Sequence, residues 1–352
     1  MELSTYINQY RKQVSPFTDK FYELYKNKAN KIGQIPSEIL DRLFKLHPKG
    51  KMHRGALVVL GYELAGGKNR VEAIKASIAW ELYATNILIA DDIIDRDSIR
   101  RGMPTIHKQW ENYFPIQNLT HYGESMGIIT AIIGFHLAPL ALNQCNFPDT
   151  IKQKALNYLF ESALETGYGE ALDISTTWQT LDEKKQSSKL IHQYKTVNYS
   201  AVSPLLFGAT LADCHDDNYL NNLTLYGQFL GKIFQIQDDI LGIFGNPAKT
   251  GKSNESDIKE GRWTILIELL NKYTNVTDLK VLHRILTKTK RTKADIDKIK
   301  QLMQKYAILE KTQTKALTYL YKGIEMISNI TDNKDHQDTL KNLLEFMIRR
   351  EK

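Results

Sequence analysis

The chain has 352 residues, of which 42% are hydrophobic and 25% charged, as is ordinary for a soluble globular protein. Its net charge of +7 comes without a long basic block, which argues against a nucleic-acid-binding protein. The two cysteines are too few for a disulfide framework or a zinc site, and the first residues lack an apolar signal core. We therefore expect a cytoplasmic protein.

Helical periodicity dominates the sequence, and strand-like alternation between turns is hard to find. In chain order we predict helices over residues 3–30 with an interruption near Pro16, and over 36–46, 56–64, 70–95, 122–142, 150–174, 186–199, 203–212 and 220–244. A loop follows over 245–261, helical periods resume at Trp263, and Thr292 and Asp295 form a capping box. Because no linker rich in Pro, Gly or Ser divides the chain, we predict one all-α domain.

The stretch from Met126 to Cys145 contains no Asp, Glu, Lys or Arg and is long enough to span a membrane. It includes His136, Pro139 and Asn143, and it lacks the basic flanks that orient membrane helices. We therefore predict a buried core helix here and no transmembrane segment.

Asp91, Asp92 and Asp95 interrupt an apolar run at the end of a long predicted helix. Buried carboxylates need a cation, and positions four apart share one helix face, so Asp91 and Asp95 point the same way. One or two carboxylates are what Mg²⁺ takes when a substrate phosphate completes its coordination shell. Arg100 and Arg101 follow, and guanidinium groups suit phosphate. This pattern indicates a diphosphate substrate.

Asp238 and Asp239 repeat the pattern near the end of another long apolar helix, and the loop after them supplies Lys252. A lone aspartate pair is more often a helix cap or a surface ion pair. Two such pairs, each followed by a basic residue in a loop with glycine, predict the two halves of a metal cluster that bridges a diphosphate. A basic cluster with Lys51 and Arg54 lies before another helix and suggests a second phosphate pocket.

Two motifs carry a family resemblance: DDIIDRDSIRRGMPT, which begins at Asp91, and FQIQDDILGIFGNPAKTGKSNESDIKEGRWT, which begins at Phe234. From about residue 45 onward the chain resembles the trans-isoprenyl diphosphate synthases (polyprenyl synthetases), and is geranylgeranyl-diphosphate-synthase-like. The resemblance implies an all-α, single-domain helical bundle around a deep apolar cavity, usually a homodimer. Residues 1–45 would form N-terminal helices, and 46–352 the catalytic bundle.

The resemblance also implies roles for the matching positions of this sequence. Three Mg²⁺ ions would be bound with substrate, with the aspartates as ligands and Asp92 in support: Asp91, Asp95, Asp238 and Asp239. Two sets of side chains would hold the substrates: Arg100, Lys195, Thr196, Gln235, Lys252 and Arg262 for the allylic diphosphate, and Lys51, Arg54 and Arg101 for isopentenyl diphosphate. Lys195 and Gln235 would join Asp91, Asp92, Asp95 and Asp238 as the catalytic group.

Several positions depart from the family pattern. Ala84 replaces the usual histidine seven residues before Asp91, Ile132 stands in place of an aspartate, Glu170 in place of a glutamine, and Gly242 in place of a third aspartate. The first two alter the isopentenyl side. They leave open an enzyme of the same fold that acts as a terpene synthase or prenylates another acceptor. A non-catalytic partner subunit is a further alternative, which the intact aspartate motifs disfavour.

Helix geometry bears on product length. One turn before Asp91 lie Asn86 and Ile87, neither of them aromatic, and two turns before it lies Tyr83, a candidate cavity floor. The absence of an aromatic residue one turn away favours a longer product. We predict a C20 product, with C25 as the alternative.

Overall fold

The computed structural model describes residues 3–47, 50, 52–246 and 254–349. The chain divides into two compact units, Met1–Leu159 with Pro204–His215, and Phe160–Ser203 with Asp216–Lys352. Regular structure in the described residues is almost wholly helical, which confirms the all-α prediction. The single-domain organisation and the deep apolar cavity stay predictions.

In chain order the α-helices are α1 (Leu3–Asn30), α2 (Gln34–Leu46), α3 (His53–Leu64), α4 (Arg70–Ile94), α5 (Ile106–Glu111), α6 (Thr120–Asn143), α7 (Asp149–Ser175), α8 (Leu181–Ile191), α9 (Ser203–Leu211), α10 (Asp217–Phe244), α11 (Ser256–Glu260), α12 (Ile265–Tyr273), α13 (Val276–Leu286), α14 (Lys293–Lys305), α15 (Ile308–Glu325) and α16 (Lys334–Arg349). Short 3₁₀ turns cover Thr176–Trp178 and Ile327–Asn329. The predicted loop over 245–261 is partly wrong, because α11 lies within it.

Helix α1 runs unbroken through Pro16, so the interruption predicted there is wrong. A proline has no N–H and leaves the carbonyl four residues earlier without its helical partner. Lys12, Gln13 and Pro16 are all exposed, so water can hydrate that carbonyl. The opposite face of α1 buries Tyr10 and Val14 and holds the helix in place.

A short antiparallel ribbon follows α4, where the sequence predicts only an exit loop. Strands β1 (Ile99–Arg100) and β2 (Met103–Pro104) pair, with Arg100 opposite Met103. The connecting residues Arg101 and Gly102 have φ values of 54° and 73°. Two successive positive φ values are typical of the two-residue type I′ hairpin turn. The turn therefore sends the chain straight back after Arg100.

The helix predicted over 186–199 consists of two parts. Helix α8 begins at a capping box of Thr180 and Glu183, and it continues into a π-helical segment, His192–Val202. Helix α10 packs closely on this segment because Gly227 and Gly231 have no side chain. A Cβ added to Gly227 would lie 2.9 Å from the Cα of Val202. π-Helical turns often occur at functional sites.

In the first unit, α4 lies against α3 and α6 and is buried along most of its length. Asn69 caps its N-terminus by accepting a hydrogen bond from the N–H of Glu72, 3.3 Å away. In the second unit, the C-terminal half of α10 buries Ile236, Ile240 and Ile243 in the core formed with α12 to α15. Each packed helix thereby fixes the aspartates that follow its apolar run.

Helix α6 is long and apolar enough to cross a membrane. Among the described residues no other helix meets both conditions. Its inner face is buried, including Thr130, Leu137 and Ala141. On this face the helix is buried, as predicted for a core helix. On the other face Ile128 and Ile132 are exposed, so the prediction of a buried helix does not hold there.

Candidate active site

The first acidic helix end lies at the C-terminus of α4 and is neutralised by one arginine. The Arg100 Nε donates to Asp92 Oδ1 over 2.5 Å, and its Nη2 donates to Asp91 Oδ2 over 2.9 Å and to Asp97 Oδ2 over 3.4 Å. Asp95 ends the helix, where its N–H donates to the Asp91 carbonyl over 2.8 Å. Asp97 was not predicted from the sequence, although it stands in the same acidic run.

Asp92 is fully buried, with 0% of its surface exposed, and its Oδ2 has no hydrogen-bond partner. Burial raises the pKa of this carboxyl to about 6, against the lowering effect of the adjacent Arg100. The same surroundings raise the pKa of the Arg100 guanidinium, through its three carboxylate partners. A partnerless carboxylate oxygen held in a buried site is chemically suited to a further cation.

Arg101, the next residue, points to a different segment of the chain. Its Nη1 donates to the carbonyl of Leu46 over 2.8 Å and to that of His47 over 3.3 Å. A Cβ on Gly50 would lie 2.6 Å from the Arg101 Nη2, so glycine makes room for the guanidinium. Lys51, predicted as a neighbour in this pocket, lies outside the described residues.

Glu81 of α4 is buried next to the start of α3, where it accepts a hydrogen bond from the N–H of Gly55 over 2.7 Å. Burial raises the pKa of this carboxyl, and the charges of Arg54, Arg101 and Arg11 oppose that rise. The positive charges of three guanidiniums therefore act on one carboxylate, which leaves an excess of positive charge. Glu81 and Arg11 were not singled out from the sequence, because neither belongs to a recognisable motif.

The residues predicted to set chain length lie in the first unit. Tyr83 is buried, and its ring centroid lies 5.6 Å from that of Trp80 and 6.0 Å from that of Phe135. Ile87 is half-buried. Asn86 is fully buried, and its Nδ2 donates to the Leu82 carbonyl over 2.7 Å. It contacts α6 where Gly134 leaves room for its amide.

The second acidic helix end lies near the C-terminus of α10, in the second unit. Asp239 is buried and accepts hydrogen bonds on both oxygens: from Gln235 Nε2 over 2.6 Å and from the N–H of Ile265 over 2.8 Å. Asp239 thus binds the first turn of α12 to α10. Burial raises its pKa, although these hydrogen bonds and the charges of His192 and Arg262 oppose the rise. Asp238 stands one residue before it.

Gly242 lies one turn after Asp238, and a carboxylate from another element occupies the space beside it. A Cβ on Gly242 would collide with the Asp257 Oδ2. Burial raises the pKa of Asp257 to about 6, against the opposing charge of Arg262. The Arg262 Nε donates to Glu260 Oε2 over 2.8 Å. Lys252 stands between Gly242 and Asp257 in the sequence and lies outside the described residues.

Lys195 lies in the π-helical segment, where it forms two ion pairs with α7. Its Nζ is 2.8 Å from Glu170 Oε2 and 2.6 Å from Asp173 Oδ2. Gly169 lets α7 and the π-helical segment approach, since a Cβ there would lie 2.5 Å from the backbone nitrogen of Lys195. Thr196 follows in the same segment and is half-buried. Glu170, where a glutamine is expected, therefore adds a carboxylate to the partners of this lysine.

Within the described ranges, no three His, Cys, Asp or Glu side chains form a ready-made metal cage. Mg²⁺ does not require one, because it usually binds through one or two carboxylates, several waters and substrate phosphates. Asp91 and Asp95 offer oxygen ligands of that kind, and the partnerless Oδ2 of Asp92 adds negative charge beside them. The first acidic helix end therefore fits Mg²⁺ in this mode of binding.

Comparisons with known proteins agree on one family. A family model described as polyprenyl synthetase matches residues 35–304. The geranylgeranyl diphosphate synthase of Saccharolobus solfataricus is 31% identical over 306 residues, which cover 86% of this chain and 87% of that protein. The corresponding synthase of Sulfolobus acidocaldarius is 27% identical over 348 residues, which cover 96% and 99%.

One solved structure has nearly the same fold over the whole chain. It is the geranylgeranyl pyrophosphate synthase of Corynebacterium glutamicum, complexed with isoprenyl diphosphate and magnesium. The TM-score is 0.85 at 23% identity, with 99% of this chain and 100% of that chain covered. At this level of identity the likeness establishes the fold.

Proposed function

Because the chain belongs to the polyprenyl synthetase family and is a prenyltransferase that makes isoprenyl diphosphates, we propose which reaction it carries out. It condenses an allylic diphosphate with isopentenyl diphosphate in a Mg²⁺-dependent reaction and releases a trans-polyprenyl diphosphate, C20 in length. The observation that carries the proposal is the first acidic helix end, where Arg100 lies among Asp91, Asp92 and Asp97. The metal and the substrate phosphate each have candidate ligands there.

Asp91, Asp95, Asp238 and Asp239 are the proposed ligands of three Mg²⁺ ions, which when bound neutralise the diphosphate and make it a better leaving group. Asp92 supports its neighbours by holding Arg100 in place. The hydrogen bonds of Asp239 to Gln235 and Ile265 add a second role, since they fix the position of its charge beside Asp238.

The cationic side chains hold the allylic diphosphate while the carbon–oxygen bond breaks. Arg100 is oriented through its carboxylate partners, Lys195 through Glu170 and Asp173, and Gln235 through Asp239. Groups fixed before the reaction stabilise developing charge without having to reorganise. Lys252, Arg262 and Thr196 complete the proposed set, whose members are Arg100, Lys195, Thr196, Gln235, Lys252 and Arg262.

Isopentenyl diphosphate binds at the second phosphate site, which we assign to Lys51, Arg54 and Arg101. The excess of guanidinium groups around Glu81 supports this assignment, because a diphosphate dianion or trianion balances that charge. The double bond of isopentenyl diphosphate attacks the allylic carbon, and a proton is then lost. Apolar walls keep water from the allylic cation.

For product length, Tyr83 is the proposed floor, and Asn86 and Ile87 line the wall above it. The buried position of Tyr83 between Trp80 and Phe135 is consistent with a rigid floor. A Tyr83→Ala variant should give products at least one isoprene unit longer, measured by mass spectrometry of the dephosphorylated products. An unchanged length would exclude Tyr83.

A second candidate function is an enzyme of the same fold with a different second step, either a terpene synthase or a prenyltransferase for another acceptor. Ala84 is the observation that favours it, since an apolar buried methyl group stands where a phosphate-binding histidine is usual. The guanidiniums of Arg54 and Arg101 count against a terpene synthase, which has no second diphosphate to bind.

The test is an incubation of purified protein with Mg²⁺ and farnesyl diphosphate, with and without isopentenyl diphosphate. An elongated diphosphate that forms only with isopentenyl diphosphate supports the main proposal. A hydrocarbon or alcohol formed without it would instead support the terpene synthase. The same incubation with EDTA should abolish turnover, and full activity without divalent metal would contradict the Mg²⁺ assignment.

We also propose that the protein is a cytoplasmic homodimer. Helix α6 exposes an apolar row on one face, formed by Ile128, Ile132 and Leu140. A second copy packed on this face would bury the row. Sedimentation equilibrium should give twice the mass of the chain, and Ile132→Glu should shift it toward the monomer.

A further inference from the structure

Helix α1 precedes the part of the chain that matches the family model, which begins at residue 35. It is nevertheless packed tightly in the first unit. The Tyr10 hydroxyl lies 2.7 Å from the Ser77 hydroxyl of α4, and Tyr10 occupies the space left open by Gly55 at the start of α3. Helix α1 therefore packs against the start of α3, next to Arg54.

One polar side chain of α1 reaches the backbone shortly before α3. Arg11 Nη2 donates to the carbonyl of Gly50 over 2.9 Å. The N–H of the same Gly50 donates to the His47 carbonyl over 3.3 Å. Arg101 binds the carbonyls of Leu46 and His47.

Two arginines thus bind the carbonyls of His47 and Gly50, two residues that are joined by a backbone hydrogen bond. Arg101 comes from the β1–β2 hairpin and is a proposed ligand of isopentenyl diphosphate. Arg11 comes from α1, and its charge, like that of Arg101, lowers the pKa of buried Glu81 against the effect of burial. A charged donor to a carbonyl makes a stronger hydrogen bond than a neutral one, so the Gly50 peptide is held firmly.

We propose that Arg11 is a positioning residue of the isopentenyl diphosphate site, and that α1 therefore contributes to acceptor binding. Arg11 fixes Gly50, the residue whose missing side chain leaves room for the Arg101 guanidinium. Without Arg11, Gly50 loses a charged hydrogen bond, and the Arg101 guanidinium that packs on it is held less firmly for the acceptor phosphates. The inference rests on the proposed function, because it names the site that Arg11 supports.

The experiment compares steady-state kinetics of wild type, Arg11→Ala and Arg11→Lys with farnesyl diphosphate and isopentenyl diphosphate. Arg11→Ala should raise the KM for isopentenyl diphosphate about tenfold, because part of the binding free energy is then used to order Gly50 and Arg101. The KM for farnesyl diphosphate and kcat should stay within about twofold. Arg11→Lys keeps a cationic donor and should recover part of the loss.

A matched control is Lys26, another cation of α1 that donates to a backbone carbonyl. Its Nζ binds the carbonyl of Ser37 in α2 over 3.2 Å and also pairs with Asp41. Lys26→Ala loosens α1 without removing a contact of Gly50. It should lower the melting temperature as much as Arg11→Ala or more, yet leave both KM values unchanged. Equal KM effects of the two variants would reduce Arg11 to a general support of α1 and overturn the proposal.

Calorimetric titration with isopentenyl diphosphate separates this inference from the proposed function. If wild type binds isopentenyl diphosphate but makes no elongated product, the proposed function fails. The Arg11 inference then stands or falls on whether Arg11→Ala weakens that binding about tenfold. If wild type shows no binding, or if Arg11→Ala binds as tightly as wild type, the inference is wrong.

Discussion

The two acidic helix ends hold their carboxylates by different means. At the end of α4, Asp91, Asp92 and Asp97 share the guanidinium of Arg100. At the end of α10, Asp239 is held by neutral donors, the amide of Gln235 and the backbone N–H of Ile265. One end is an ion-pair network with a partnerless oxygen on Asp92, and the other is a fully hydrogen-bonded cap.

The difference separates two ways of keeping a negative charge inside a protein. An ion pair can be exchanged, because the carboxylates of Asp91 and Asp97 could hold a cation once Arg100 turned to a phosphate. The backbone N–H of Ile265 cannot leave Asp239 without unfolding of the first turn of α12, so this bond fixes geometry whether or not a ligand is bound. We therefore expect the first end to respond to ligands, and the second to respond to changes in shape.

The largest effect should come from removing one proposed metal ligand at each end. Asp91→Ala and Asp238→Ala should each lower kcat about a thousandfold or more, because a developing diphosphate anion loses its neutralising partner. The measurement is the rate of product formation at saturating substrate and Mg²⁺. Asp332→Ala, an exposed aspartate before α16, is the control and should match wild type. Near wild-type activity in either variant would exclude that aspartate as a ligand.

The second prediction concerns pH and the first end. The pKa of Asp92 is about 6 in the folded protein, against an ordinary value of 3.8, so the folded protein binds the proton more tightly than the unfolded chain does. Metal-free protein should therefore lose stability as pH rises from about 4 to about 6, by at most about 3 kcal/mol from this group. In urea unfolding, the free energy of unfolding of Asp92→Asn should lack this part of the pH dependence. The control Asp332→Asn should keep it. Parallel stability curves for wild type and Asp92→Asn would contradict the burial of a charged Asp92.

A third prediction tests the shape of the second end. Gly242→Asp, which restores the aspartate usual in the family, should destabilise the protein by about 2 kcal/mol, because it brings a second carboxylate onto Asp257. The double variant Gly242→Asp with Asp257→Ala removes the collision and should regain most of that loss. Urea unfolding measures both. If the change in unfolding free energy of the double variant equals the sum of the two single changes, the two positions do not interact.

The smallest effect should come from Asp239→Asn. An asparagine keeps one acceptor oxygen for the N–H of Ile265, but its amide then faces the amide of Gln235 and places two donors together. We expect a loss of about 1 kcal/mol in stability and about a tenfold fall in kcat. Gln235→Ala measures the loss of the amide partner alone. A variant that behaves like wild type would show that Asp239 does not act through its hydrogen bonds.

The helices that carry the acidic ends were predictable from sequence, since long apolar runs with few breakers favour α4, α6 and α10. The β1–β2 ribbon was not, because two residues per strand are too short for alternation to show. The true start of α8 had a signal, Thr180 followed by Glu183, that the prediction missed. The π-helical segment has no pattern that separates it from an α-helix.

In the candidate site, motif residues could be named but their partners could not. Arg100 was predicted as a phosphate ligand, whereas its ion pairs with Asp91, Asp92 and Asp97 depend on the hairpin that turns it back. Arg11 and Glu81 lie far apart in the sequence and meet only through the packing of α1, α3 and α4. No local pattern of residues carries that information.

The two-residue turn at Arg101 and Gly102 has a consequence for how this segment tolerates insertion and deletion. Neighbouring arginines serve different partners, Arg100 the aspartates of α4 and Arg101 the carbonyls after α2. Which arginine meets which partner depends on the length of the ribbon, since side chains alternate along a strand. Removal of a single residue would exchange or break both assignments at once. The length of the ribbon should therefore be more constrained than the identity of its residues other than Arg100, Arg101 and Gly102.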